Sequence, residues 1–256
     1  MRISSLDVLF SPADFSALSK LDLSLTVCVV FDVLRATSSM ITALNNGASS
    51  VMPVADIAKA LAMRRQQPDV LLAGERNGVK IEADLTGGVA FDLGNSPREF
   101  QRQVVDSKTI VMTTTNGTRA LLACAHAKLV MVSSFLNLEA TANSLKTEAP
   151  VPLLLICSGT FEQAAYEDAL CAGALCDLLW GDCDQDCITD SALMARKLYC
   201  QQQQDLLAGI SQSRNGRRLL SSPKLSDDLR CCLQRDSVDL VATMEHDGFL
   251  RARVRT

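Results

Sequence analysis

An acid and a base stand close together where an apolar run ends, in Val27-Cys28-Val29-Val30-Phe31-Asp32-Val33-Leu34-Arg35-Ala36-Thr37. A carboxylate such as Asp32 can attack, activate water, ligate a cation or pair with a guanidinium such as Arg35. A second apolar run ends in Thr113-Thr114-Thr115-Asn116-Gly117-Thr118-Arg119. If Thr115, Asn116, Gly117 and Thr118 lead into a helix, unpaired backbone N–H groups and the helix dipole favour an anion there. Gly117 lets a phosphate approach the backbone, and Arg119 adds a two-pronged contact. A Thr or Asn N-cap without a ligand explains the same residues equally well. The segment is not a P-loop, because no Gly-x-x-x-x-Gly-Lys occurs. Glu75 and Arg76 form a second acid–base pair in Gly74-Glu75-Arg76-Asn77-Gly78. Glu167 and Asp168 are consecutive at a helix start, so they project about 100° apart and one can face a metal while the other faces water. The plainer alternative is first-turn acids complementing the helix dipole.

The elements that must position these groups alternate along the chain. Strands are expected over 25–31, 50–54, 70–73, 109–112, 129–132 and 153–157. Helices are expected over 37–45, 55–66 and 116–124, and after each of the last two strands. This βαβα rhythm predicts an α/β fold in three layers, α/β/α, with a mainly parallel or mixed sheet. Ligand sites in such sheets lie beyond the carboxyl ends of strands, where Asp32, Glu75, Thr115 and Ser158 all fall. After Trp180 the rhythm changes to an acidic segment over 181–189, a long helix over 190–208 and two shorter helices. Strands over 238–243 and 249–254 then flank the turn Glu245-His246-Asp247-Gly248. No Pro/Gly/Ser linker interrupts the chain, so residues 1–256 read as a single domain with a helical C-terminal excursion.

The composition narrows the function classes. At 256 residues and 48% hydrophobic the chain can bury a sizeable, mostly aliphatic core. A formal charge of −4 argues against a nucleic-acid surface. No apolar run approaches the ~20 residues of a membrane span, and the N-terminus lacks a secretory h-region. Most of the ten cysteines lie inside apolar patterns and read as small buried hydrophobes in a reducing cytoplasm. With only His126 and His246 available, a Cys/His zinc site is not expected. The acids at 182, 184 and 186 alternate as in a calcium loop. Cys187 and Leu193 replace the glycine and glutamate such a loop needs, so a solvated loop capping the next helix through Asp190 is expected.

Asp32 does not fit the Asp-x-Asp pattern of haloacid-dehalogenase-type phosphatases, since Leu34 replaces the second acid. Taken in order, the segments instead resemble the ComB family of 2-phosphosulfolactate phosphatases. The resemblance rests on Asp32-Val33-Leu34-Arg35-Ala36-Thr37, Gly74-Glu75-Arg76-Asn77-Gly78-Val79-Lys80-Ile81-Glu82 and Leu93-Gly94-Asn95-Ser96-Pro97-Arg98-Glu99. It continues through Thr114-Thr115-Asn116-Gly117-Thr118-Arg119-Ala120-Leu121 and Glu167-Asp168 with Cys171-Ala172-Gly173. Asn215-Gly216-Arg217 with Leu219 is a weaker signature, and residues 227–231 extend it.

The resemblance implies a three-layer fold and a magnesium-dependent phosphatase acting on a small sulfonated phosphoester. In coenzyme M biosynthesis that reaction converts 2-phosphosulfolactate to sulfolactate and phosphate. Mg2+ is expected on a subset of Asp32, Glu75, Glu167 and Asp168. Arg35, Arg119 and the 115–118 backbone are expected to hold the phosphoryl oxygens, and Arg76 or Lys80 the sulfonate or carboxylate. Whether a carboxylate attacks or activates water stays open. Two departures bear on the substrate: residues 83–90 lengthen a connection expected beside the pocket, and the tail after Val241 differs. The alternatives are a related phosphatase for another small organophosphate, or a non-catalytic anion-binding module. A homodimer is the expected assembly.

Overall fold

The computed structural model describes residues 3–18, 20–148 and 150–253. The strands are β1 (Ser5–Leu9), β2 (Val27–Phe31), β3 (Ser50–Pro53), β4 (Leu71–Arg76) and β5 (Val79–Lys80). They continue with β6 (Thr109–Thr113), β7 (Leu129–Ser133), β8 (Pro152–Cys157), β9 (Val241–Met244) and β10 (Leu250–Arg253). The helices are α1 (Phe15–Leu18), α2 (Ala36–Asn45), α3 (Ile57–Gln66), α4 (Arg102–Val105), α5 (Gly117–Ala123) and α6 (Leu138–Glu148). α7 (Tyr166–Leu179) follows β8, and the C-terminal excursion holds α8 (Asp190–Gln202), α9 (Leu206–Ser211), α10 (Arg214–Leu220) and α11 (Ser226–Cys232).

The three-layer expectation holds. Every residue of β2 is buried, as a strand covered on both faces requires. Val27, Val29 and Phe31 enter one core with Leu170 and Leu175 of α7. Cys28 and Val30 enter the opposite core with Met40 of α2 and Leu121 of α5. Each fully buried aliphatic or aromatic side chain of this kind contributes about 1.5–3 kcal/mol by leaving water.

The ten-stranded sheet runs β1-β8-β2-β7-β9-β10-β3-β6-β4-β5. β1, β8, β2 and β7 form one parallel set, and β3, β6 and β4 another. The C-terminal hairpin β9–β10 lies between them and pairs antiparallel with β7 and β3. The sheet is therefore mixed at its centre.

Several local expectations change. β1 was not expected; its Ser5-Leu6-Asp7-Val8-Leu9 alternates half-buried and buried residues along β8. The strand expected to stop at Ala73 runs to Arg76 and folds back on β5, with Asn77 at φ 54° and Gly78 at φ 81° in the turn. The long helix expected over 190–208 breaks at residues 203–205. Asp205 there accepts a bond from the Ala208 N–H and starts α9. Thr189, not Asp190, caps α8 by accepting from the Ala192 N–H. Val254, the expected end of the last strand, lies outside the described residues.

Candidate active site

Asp32 is the first residue beyond β2, and the chain turns there on its own side chains. The Asp32 N–H donates to Thr37 Oγ1 at 3.1 Å, and the Ala36 N–H donates to Asp32 Oδ1 at 3.2 Å. These bonds lead directly into α2. Gly117, the first residue of α5, lies against the other carboxylate oxygen. A Cβ added there would sit 2.7 Å from Asp32 Oδ2 and 2.8 Å from the Ala36 Cβ. Glycine is thus what lets the loop after β6 reach the loop after β2. Burial pushes the Asp32 carboxyl up to about 7, and repulsion from Glu75 and Glu167 adds to this. The Ala36 and Gly117 amides pull the other way.

Glu75, the next-to-last residue of β4, is buried. Its Oε2 accepts the Gly78 N–H at 2.6 Å across the β4–β5 turn. Its Oε1 accepts the Thr115 N–H at 2.7 Å. The 115–118 segment is therefore engaged by the protein's own side chains: Thr115 donates to Glu75, Gly117 to Asp32 and Thr118 to the Thr114 hydroxyl. It orients carboxylates as well as facing the pocket.

Asp168 is a clasp. Its Oδ1 accepts the Val33 N–H at 2.8 Å and its Oδ2 the Gly159 N–H at 3.1 Å, tying the loops after β2 and β8 together. Burial, with the negative Asp32 and Glu167 nearby, pushes its carboxyl well above the usual range. Glu167 accepts from Asn215 Nδ2 at 2.5 Å and Ser213 Oγ at 3.2 Å, which joins α7 to α10. Burial raises its carboxyl too. Neither Glu167 nor Asp168 lines the pocket that Asp32 and Glu75 share.

That pocket encloses about 20 Å3, room for a water molecule or a small ion. Asp32, Glu75, Asn95, Thr115 and Asn116 form its floor and wall, and Phe161 and Arg218 also line it. Among its buried atoms, Asn95 Oδ1 and Thr115 Oγ1 have no hydrogen-bond partner, the signature of groups awaiting a ligand or solvent. Phe161 is 57% exposed. It belongs to a tight turn in which the Thr160 N–H donates to the Gln163 carbonyl at 2.8 Å, and the Gln163 N–H returns a bond at 3.1 Å.

The basic residues expected in the site divide differently. Arg35 lines the pocket, but its guanidinium is held by Asp228 Oδ2 at 2.7 Å and the Gly78 carbonyl at 2.9 Å. Arg76 turns to Thr113 Oγ1 at 3.0 Å and to backbone carbonyls. Arg119 pairs with Glu162 at 2.5 Å on the surface, and Lys80 lies 3.7 Å from Glu82. The structure brings none of these last three to the pocket wall, and Thr118 is wholly buried behind it. Residues 83–90 do not line it either, contrary to the expected loop beside the pocket. Sequence reasoning missed Arg218, and it gave no site role to the buried Asp228 although that residue lies within the 227–231 signature. The available signal for Arg218 was helical spacing, because it shares a face with Asn215 three residues earlier.

Among the described residues no group of three or more His, Cys, Asp or Glu side chains is arranged to hold a metal ion. A cation taking one or two carboxylates and keeping its waters needs no such group. Asp32, Glu75 and the unpartnered Asn95 Oδ1 supply oxygen donors only, and the mutual repulsion of the acids is what a cation would relieve. The residues present therefore fit a hard divalent ion such as Mg2+.

The same chain is similar in sequence to proteins of known family. A family model described as 2-phosphosulpholactate phosphatase matches residues 15–247. A Pseudothermotoga lettingae protein named "Probable 2-phosphosulfolactate phosphatase" is 38% identical over 247 residues, covering 96% of this chain and 98% of that protein. A Caldicellulosiruptor saccharolyticus protein of the same name is 39% identical over 217 residues, covering 83% and 86%. One from Picosynechococcus is 37% identical over 227 residues, covering 88% and 90%. No described helix is long and apolar enough to cross a membrane. The chain belongs to the 2-phosphosulpholactate phosphatase family.

Proposed function

We propose that this protein is a Mg2+-dependent phosphatase that hydrolyses 2-phosphosulfolactate to sulfolactate and phosphate, the reaction type used in coenzyme M biosynthesis. The observation that carries this reading is the facing pair Asp32 and Glu75, held by backbone amides in one small pocket within a chain of this family. Asp32, Glu75 and the Asn95 side chain would hold Mg2+. When bound, the ion would neutralise charge on the transferring phosphoryl group. The buried Thr115 hydroxyl and the Asn116 side chain would orient the phosphoryl oxygens. Thr115 and Gly117, through their amides, fix the carboxylates so that little reorganisation is needed on binding.

The direct test measures phosphate release from 2-phosphosulfolactate and from a panel of small phosphoesters, after EDTA treatment and after Mg2+ is restored. Turnover of the sulfonated ester that returns with Mg2+ and drops by at least about 100-fold in a folded Asp32→Asn protein is expected. Normal hydrolysis by that variant would remove Asp32 from the chemistry. Faster turnover of an unsulfonated ester would move the substrate.

A further inference from the structure

We infer that Arg218 is the specificity-determining residue of this pocket and that it grips an acidic group of the substrate that is not transferred, its sulfonate or its carboxylate. This rests on the phosphatase reading above and adds to it which residue recognises the rest of the molecule.

The argument starts from charge. A phosphoester with a further sulfonate or carboxylate brings negative charge at two ends, and a pocket floored by Asp32 and Glu75 repels both. A cation beside those acids answers the phosphoryl end only. The protein must supply positive charge for the other end, and most of its candidate cations are already committed. Arg35 is neutralised by the fully buried Asp228, which also accepts from Ser96 Oγ at 2.7 Å and Arg98 Nε at 3.1 Å. Arg76, Arg119 and Lys80 are engaged away from the pocket. Arg218 is different: it lines the pocket, is half-buried, and its guanidinium makes no hydrogen bond or ion pair among the described residues.

Position then separates its task from phosphoryl binding. The two oxygens of Glu75 look to opposite sides, Oε1 to the Thr115 amide and Oε2 to the Gly78 amide. Thr115 lies toward Gly117 and Asp32, where the phosphoryl group is expected. Gly78 lies toward Arg218: a Cβ on Gly78 would stand 3.4 Å from the Arg218 Cζ. The guanidinium thus covers the end of the pocket across Glu75 from the Thr115 loop. Its element fixes it there. Asn215, three residues earlier on α10, is buried and bonds both Glu167 and Thr160 Oγ1, so the shared helix face is anchored. Arg217 is exposed and points elsewhere. A planar fork with free donors suits the paired oxygens of a sulfonate or carboxylate.

The test compares wild type with Arg218→Ala and Arg218→Lys, each checked for an unchanged melting temperature. Calorimetry reads binding of two product probes, sulfolactate and inorganic phosphate, to the Mg2+-loaded protein. Kinetics read phosphate release from matched phosphoesters with and without a second acid. For Arg218→Ala the expected result is a 10- to 100-fold loss of sulfolactate affinity, with phosphate affinity within about twofold of wild type. A matching rise in KM for the acid-bearing ester is expected, with kcat changed far less, and partial recovery in Arg218→Lys. Equal loss of both probes, or loss of neither, overturns the assignment. Failure of the phosphatase reading looks different: wild type then releases no phosphate from any ester, whatever the probes show.

Discussion

Asp32 has to be a good acceptor for a cation and yet sit where water cannot solvate its charge. The same burial that sharpens electrostatics in the pocket holds its carboxyl at about 7. This has a stability consequence in cation-free protein. The unfolded chain ionises Asp32 near 3.8, whereas the folded protein keeps it protonated up to about 7. Between those values the folded state binds more protons, so stability falls as pH rises. The contribution is full below about 3.8 and gone above about 7. In EDTA, this one group should cost the protein roughly 2–3 kcal/mol between pH 5 and pH 8. Asp32→Asn removes the titration, so its denaturant midpoint should fall less over that range. Parallel slopes for the two proteins would show that Asp32 is already ionised at pH 5. Asp32, Glu75 and Thr115 were legible in the sequence because each sits at the end of an apolar run. Arg218 was not, because its meaning depends on α10 packing against the β4–β5 turn, a contact between segments far apart in the chain.

At the scale of elements, the site is an agreement between loops. The turn after β2, the β4–β5 hairpin and the start of α5 meet because small or backbone groups fill the contact. The hairpin was recoverable from Asn77-Gly78, since both residues take positive φ in a two-residue turn. The Asp168 clasp was harder to see: an acid in a first helical turn looks like a dipole partner until the Val33 and Gly159 amides are found on it. The break at residues 203–205 was obscured because Gln201 to Gln204 continue a helical pattern, and Asp205 acts only through its cap. The contact most exposed to test is Gly117. Gly117→Ala places a methyl 2.7 Å from Asp32 Oδ2 and 2.8 Å from the Ala36 Cβ, so the Asp32 carboxylate or the start of α5 has to move. Overpacking of this kind costs about 1–3 kcal/mol. The melting temperature should fall modestly while phosphate release falls much further, because the displaced oxygen belongs to Asp32. If Gly117→Ala loses stability and keeps full turnover, the fit between α5 and Asp32 is structural only.

At the scale of the molecule, the strand order is what the sequence could not disclose. Alternating strands and helices predict parallel neighbours, and the chain keeps to that within each half. Nothing local reveals that the last two strands fill the gap between the halves. Val130, Met131 and Val132 of β7 pair with Met244, Thr243 and Ala242 of β9, and Leu250 of β10 faces Val51 of β3. The two halves each contribute to the pocket, Asp32 from beyond β2, Glu75 from the end of β4 and Thr115 from beyond β6. The hairpin therefore sets the spacing of the site although none of its residues lines the pocket. Ala242 tests this, since it is fully buried and paired on both sides, with Val132 and Ala252. Ala242→Asp forces a carboxylate between the halves and should cost at least about 3 kcal/mol. The loss should appear everywhere at once. Trp180, the only tryptophan, reports on the β2 side through its packing beside α7, while amide exchange in β3, β4 and β6 reports on the other. In a single cooperative unit both probes shift by the same free energy and their transitions coincide. A Trp180 transition left in place while β3, β4 and β6 lose protection would divide the chain into two units, with the hairpin belonging to one of them.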